Sequence, residues 1–94
     1  MRRFNVQLPM SITKQAKSYV AYTPALDIST TGKTEKEVKK RFESLVEIFL
    51  DEIFSAGTAN EVLRELGWSR VERKWTPPKV VRSRSVGVSV PVGV

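Results

Sequence analysis

Histidine and cysteine, the side chains that most often carry chemistry, are both absent from this chain. Their absence excludes an imidazole base, a thiol nucleophile, a zinc ribbon and a disulfide framework together. The carboxylates fall mainly along one stretch, with Glu43, Glu47, Asp51 and Glu52 close together and Asp27 apart. General acid-base work needs groups held in tuned environments, and carboxylates on the solvent face of one helix lack them. Gly32-Lys33-Thr34 has no upstream glycine at phosphate-loop spacing and reads as a turn followed by a helix cap. Serine and threonine hydroxyls are plentiful, but the usual base to activate them is missing. The residues therefore predict no catalytic, cofactor or metal site, and a chain that is not an enzyme.

Contact chemistry is more visible. Glu43, Glu47 and Asp51 recur every four residues and predict an acidic ridge along one helix face. Like charges at that spacing cost about 0.2 to 0.5 kcal/mol per pair. A basic surface on a partner, an antiparallel copy of the same helix, or plain solvation could each relieve it. Further on, Arg70, Arg73, Lys74, Lys79, Arg82 and Arg84 are interleaved with Trp68 and Trp75, the composition of a groove that tracks phosphates and stacks bases. The alternative is that both tryptophans cap the core while the cations stay in water. Charge is divided to match: residues 1–66 hold 10 Lys/Arg against 9 Asp/Glu, and residues 67–94 hold 6 against 1, so the net charge of +6 is concentrated in the tail. A basic tail on a balanced body suits an anionic partner or serves solubility.

The elements that must position these groups can be read from periodicity. At 94 residues the chain is one domain's worth, able to bury somewhat more than about 60% of its unfolded surface. Phe4, Val6, Leu8, Met10 and Ile12 alternate with polar residues and predict a half-buried strand, with a bulge or a free edge at Pro9. Lys14 to Lys17 reads as a hairpin loop, Ser18 to Thr23 as a second strand ended by Pro24, and Ile28 to Thr31 as a third, closed by Gly32. Thr34-Glu35-Lys36-Glu37 is a capping box opening a helix over about 35–55, whose Val38, Phe42, Leu45, Val46, Phe49 and Ile53 would face Phe4, Val6, Leu8, Val20 and Tyr22. Gly57 can stop that helix in a left-handed conformation. Thr58-Ala59-Asn60-Glu61 resembles a second capping box for a short helix ending before Gly67. Trp68 to Trp75 could return to the sheet as a fourth strand, and Thr76-Pro77-Pro78 breaks regular structure.

Beyond that break Val86, Val88, Val90, Val92 and Val94 alternate with Gly87, Ser89, Pro91 and Gly93. This segment reads either as a frayed end or as an arm that pairs with another chain's sheet edge. Five valines in phase would be an aggregation hazard if left free. No apolar run exceeds a few residues, and Met1-Arg2-Arg3 leads into polar alternation, so the expectation is no membrane association and a cytoplasmic location.

The ordered set Tyr19-Val20-Ala21-Tyr22-Thr23-Pro24-Ala25-Leu26, then Thr31-Gly32-Lys33-Thr34-Glu35-Lys36-Glu37, then an amphipathic helix ending in Leu50-Asp51-Glu52, resembles the HicB family of antitoxins over about residues 4–55. The later Leu66-Gly67-Trp68 is similar to the segment after the helix in some members. The resemblance implies a partial ribonuclease H-like fold without nuclease carboxylates. It also implies neutralisation of a HicA-type toxin, a small messenger-RNA-cleaving protein whose active surface the antitoxin covers. An acidic ridge at Glu43, Glu47 and Asp51 would suit the basic face of such a toxin.

The combined expectation is an α+β domain over residues 1–75. It would have a three- or four-stranded, mostly antiparallel sheet and one long helix packed on one face, in the order β-β-β-α-α-β. A basic, valine-alternating arm occupies 76–94. The function would be toxin neutralisation within a toxin-antitoxin system. The alternatives are nucleic-acid binding through Arg70, Arg73, Lys74, Lys79, Arg82 and Arg84, or a non-catalytic homo-oligomeric scaffold. A homo-oligomer, dimer or tetramer, is expected through Val86, Val88, Val90 and Val92.

Overall fold

A computed structural model describes residues 5–93 and shows an α+β architecture. Three antiparallel strands, β1 (Ser11–Gln15), β2 (Ser18–Thr23) and β3 (Ile28–Gly32), form one sheet in that order. The long helix α1 (Glu35–Ser55) lies across one face, followed by the short α2 (Ala59–Glu65). A separate two-stranded hairpin, β4 (Ser69–Val71) and β5 (Lys74–Thr76), completes the body.

The first strand differs from the alternation seen in sequence. Ladder pairing begins at Ser11, opposite Tyr22, and runs to Gln15 opposite Ser18, so the connection shrinks to Ala16-Lys17 with Ala16 at φ 48°. A two-residue turn fixes the register, and Pro9 cannot donate to a ladder, so pairing starts only after it. Val6, Leu8 and Met10 still pack half-buried against the core, without strand partners. Phe4 lies outside the described residues.

The phase of β2 is also corrected. Ala21 and Thr23 are fully buried and Tyr19 packs on the core, whereas Tyr22 is on the open face. Registers Ile12↔Ala21↔Thr30 and Tyr19↔Gly32 put Ile12, Ala21, Thr30 and Gly32 on the helix side. α1 comes very close at the Gly32 end of that side: a Cβ on Gly32 would meet the Val38 backbone nitrogen at 2.7 Å. Val20 and Tyr22, out of phase with these, fall on the outer face.

Helix α1 has the bounds its pattern predicts. Thr34 Oγ1 accepts from the Glu37 amide at 3.0 Å, while the Glu37 carboxylate pairs with Arg41 at 3.0 Å rather than completing the box. Val38, Phe42, Val46 and Ile53 are buried and Phe49 is half-buried, but Leu45 is exposed at the flank. At the other end Gly57 takes φ 74° and the Thr58 amide donates back to the Ile53 carbonyl at 2.9 Å, a Schellman closure. The Thr58 hydroxyl donates to that same carbonyl at 3.3 Å, so it finishes α1 and does not cap α2.

The expected fourth strand is replaced by the β4-β5 hairpin, which pairs with itself through Ser69↔Thr76 and Val71↔Lys74. Its turn residues Glu72 and Arg73 both have positive φ, 49° and 68°, the geometry of a two-residue turn matched to strand twist. Trp68 and Trp75 are only 5% and 6% exposed and close the core beside Leu63 and Ala25.

Candidate interaction surfaces

Three surfaces hold the side chains singled out in the sequence. The acidic one rests on α1. Burial of Val38, Phe42, Val46 and Ile53 orients the helix, and at 3.6 residues per turn this turns Glu43, Glu47 and Asp51 to the far side, where all three are exposed. Lys36, Lys39, Lys40 and Arg41 occupy the first half of the helix and Glu43, Glu47, Asp51 and Glu52 the second. That polarity opposes the macrodipole beyond the first turn. The helix is held by its apolar stripe rather than by the placement of its charges.

The basic surface is built differently from the expectation. Arg70, Arg73 and Lys74 belong to the β4-β5 hairpin, while Lys79, Arg82 and Arg84 follow Pro78 in chain without regular structure; all six are exposed. The tryptophans between them are not available for base stacking. Trp68 is buried with its Nε1 donating to the Ala25 carbonyl at 2.7 Å, and Trp75 is buried beneath Arg70, whose guanidinium sits 5.6 Å from the ring centroid. The reading in which both rings cap the core is the one the structure shows.

The valine segment belongs to no strand or helix over residues 86–93, and Val94 lies outside the described residues. Val86, Val88, Val90 and Val92 are 72–97% exposed. The described chain measures about 54 × 28 × 21 Å, with a radius of gyration of 16.2 Å against about 12 Å for a compact chain of this length. Residues 77–93 belong to no strand or helix. A shallow groove lined by Gln7, Pro9 and Thr76 to Val80 lies at the start of this segment.

Two features escaped the sequence. Tyr22 Oη donates to Asp27 Oδ1 at 3.1 Å on the outer face of the sheet, and Asp27 holds φ 54°. The hydrogen bond to the carboxylate, with a smaller contribution from desolvation, raises the Tyr22 phenol above its ordinary value. The second is an open groove of about 410 Å³ beside β3, lined by Thr30, Lys40, Arg41, Ser44, Leu45 and Ile48. Its sequence signal is the 4-3-4 spacing of Arg41, Leu45, Ile48 and Glu52, which runs along the flank of the core stripe.

Among the described residues no helix is long and apolar enough to cross a membrane, and no group of three or more Asp/Glu is placed to hold a metal ion. Comparison of the chain with models of protein families, with curated proteins and with solved structures finds no match in any of the three.

Proposed function

We propose that this chain is a HicB-like antitoxin, a non-catalytic protein that neutralises a HicA-type messenger-RNA-cleaving toxin by covering its active surface in the cytoplasm. The observation that carries the reading is the exposure of Glu43, Glu47 and Asp51 on one face of a 21-residue helix. The ordered motifs from Tyr19 to Leu26 and Thr31 to Glu37 support it, as does the β-β-β-α order in which they occur. A ridge of this kind offers charge complementarity to a protein that must itself grip RNA. Blocking by contact needs a rigid face and no reacting groups.

The test is coexpression with a small basic protein encoded beside this chain and carrying a single catalytic histidine. The two should copurify and RNA cleavage should stop. The triple variant Glu43→Lys, Glu47→Lys, Asp51→Lys, checked for unchanged helicity, should weaken the complex by at least tenfold and restore cleavage. Full inhibition by the variant would refute the ridge as the contact surface.

A second reading is nucleic-acid binding, favoured by the exposure of Arg70, Arg73, Lys74, Lys79, Arg82 and Arg84 on the β4-β5 hairpin and the segment after it. It requires affinity for RNA or DNA that falls steeply with salt and is lost on replacing Arg70, Arg73 and Lys74 with alanine.

A further inference from the structure

We propose that the valine arm of a second copy of this chain adds to the outer edge of β3 as a parallel strand, with its valines seated on Leu45 and Ile48. The inference does not rest on toxin binding, because it uses Leu45 and Ile48 beside β3 and not the acidic residues of the ridge.

The edge comes first. Among the described residues, β3 has β2 on one side and no strand on the other. The two-residue turn makes Gln15↔Ser18 a hydrogen-bonded pair, so Ser18, Val20 and Tyr22 direct their backbone groups to β1 and Tyr19, Ala21 and Thr23 direct theirs to β3. Ser29 and Thr31 therefore turn their N–H and C=O groups outward. The Thr31 carbonyl agrees, since it accepts from Arg41 Nη1 at 3.1 Å on that side. Beside this edge Leu45 is 37% and Ile48 56% exposed, uncovered apolar surface next to unpaired strand.

The arm supplies a complement in three respects. With Val88 opposite Thr30 in a parallel register, the valines share the helix-side face and cover Leu45 and Ile48. In the same register each valine points its own N–H and C=O at β3, Val88 to the Ser29 carbonyl and the Thr31 amide. Pro91, which has no N–H, then falls on the outward side where none is needed. In an antiparallel register with the same valine face, the Gly87, Ser89 and Pro91 nitrogens would be the ones facing β3.

Charge agrees with the direction. α1 follows β3 after the short Lys33-Thr34 link and Arg41 reaches the Thr31 carbonyl, so Lys40 and Arg41 lie toward the Gly32 end, while Asp27 precedes Ile28 at the other. A parallel arm brings Arg82 and Arg84 to the acidic end. The antiparallel arrangement would bring them to Lys40 and Arg41. Reciprocal exchange of two arms closes a twofold dimer.

The test uses the full chain and light scattering coupled to size exclusion. The parent should have twice the 10.6 kDa chain mass. Val88→Pro removes an N–H aimed at β3 and should give monomer, whereas Ser89→Pro removes an outward one and should leave the dimer. Ile48→Lys, at an exposed position that the fold does not need, should also give monomer with unchanged circular dichroism. Because the chain has no cysteine, mixing an Ile48→Cys chain with a Val88→Cys chain should yield the disulfide-linked heterodimer on oxidation. A monomeric parent, equal effects of the two proline variants, or an Ile48→Cys/Val88→Cys double variant that links only within one chain would each overturn the proposal, the last by showing that each arm folds onto its own sheet.

Discussion

Trp68 Nε1 donates to the carbonyl oxygen of Ala25 at 2.7 Å, across 43 residues of chain, with both residues buried. This bond ties the segment after α2 to the loop between β2 and β3. It also fixes that loop from a second side, because the Ala25 amide donates to Thr23 Oγ1 at 3.2 Å. Trp68→Phe keeps most of the apolar area and strands a buried carbonyl. The expected loss is about 1 to 3 kcal/mol in urea unfolding, with the far-ultraviolet spectrum unchanged.

Gly32 stands where the helix start meets the sheet, and a methyl there would meet Val38 backbone atoms at 2.7 and 2.9 Å. Backbone cannot rotate aside as a side chain can. Gly32→Ala should therefore cost about 2 to 3 kcal/mol, measured by thermal or denaturant unfolding, through displacement of α1 from β3.

The Tyr22-Asp27 pair gives a pH dependence whose sign comes from the raised phenol. The folded state favours the neutral phenol. The pair's contribution is whole below the ordinary tyrosine value of 10.0 and is lost as pH rises past it through the folded value. In a Tyr19→Phe background, which leaves Tyr22 the sole phenol, ultraviolet titration should show a midpoint above 10.0, returning toward it on Asp27→Asn. Asparagine tolerates the positive φ of that position, so the variant isolates the carboxylate.

Glu72 and Arg73 hold the β4-β5 turn at φ 49° and 68° without the residues that prefer such angles. Replacing them together by Asn-Gly should stabilise the protein by about 1 kcal/mol in denaturant unfolding. The same variant removes one exposed cation and so separates the role of Arg73 in any nucleic-acid affinity from that of its neighbours.

Much of this protein obeys local rules. The bounds of α1 come from Thr34, the apolar spacing of Val38 to Ile53 and the Gly57 stop, each acting within a few residues of itself. The extent of β2 and β3 likewise reflects β-formers between Pro24, Gly32 and the turn, and the absence of histidine and cysteine excludes whole classes of chemistry on composition alone. The exposure of Glu43, Glu47 and Asp51 is a consequence of helical period once the apolar stripe is buried.

Periodicity could not supply anything that depends on how closely two elements approach. The face of β2 that meets α1 was decided in packing, where Ala21 and Thr23 lie fully buried and Tyr19 packs on the core while Val20 and Tyr22 take the other face. Strand β1 was set by pairing across Ala16-Lys17 rather than by its own alternation, and Trp68 is buried where the distant Ala25 carbonyl gives its Nε1 an acceptor. Such choices are made by packing and long-range hydrogen bonds, which compare segments distant in the chain and leave no trace in the spacing of either one.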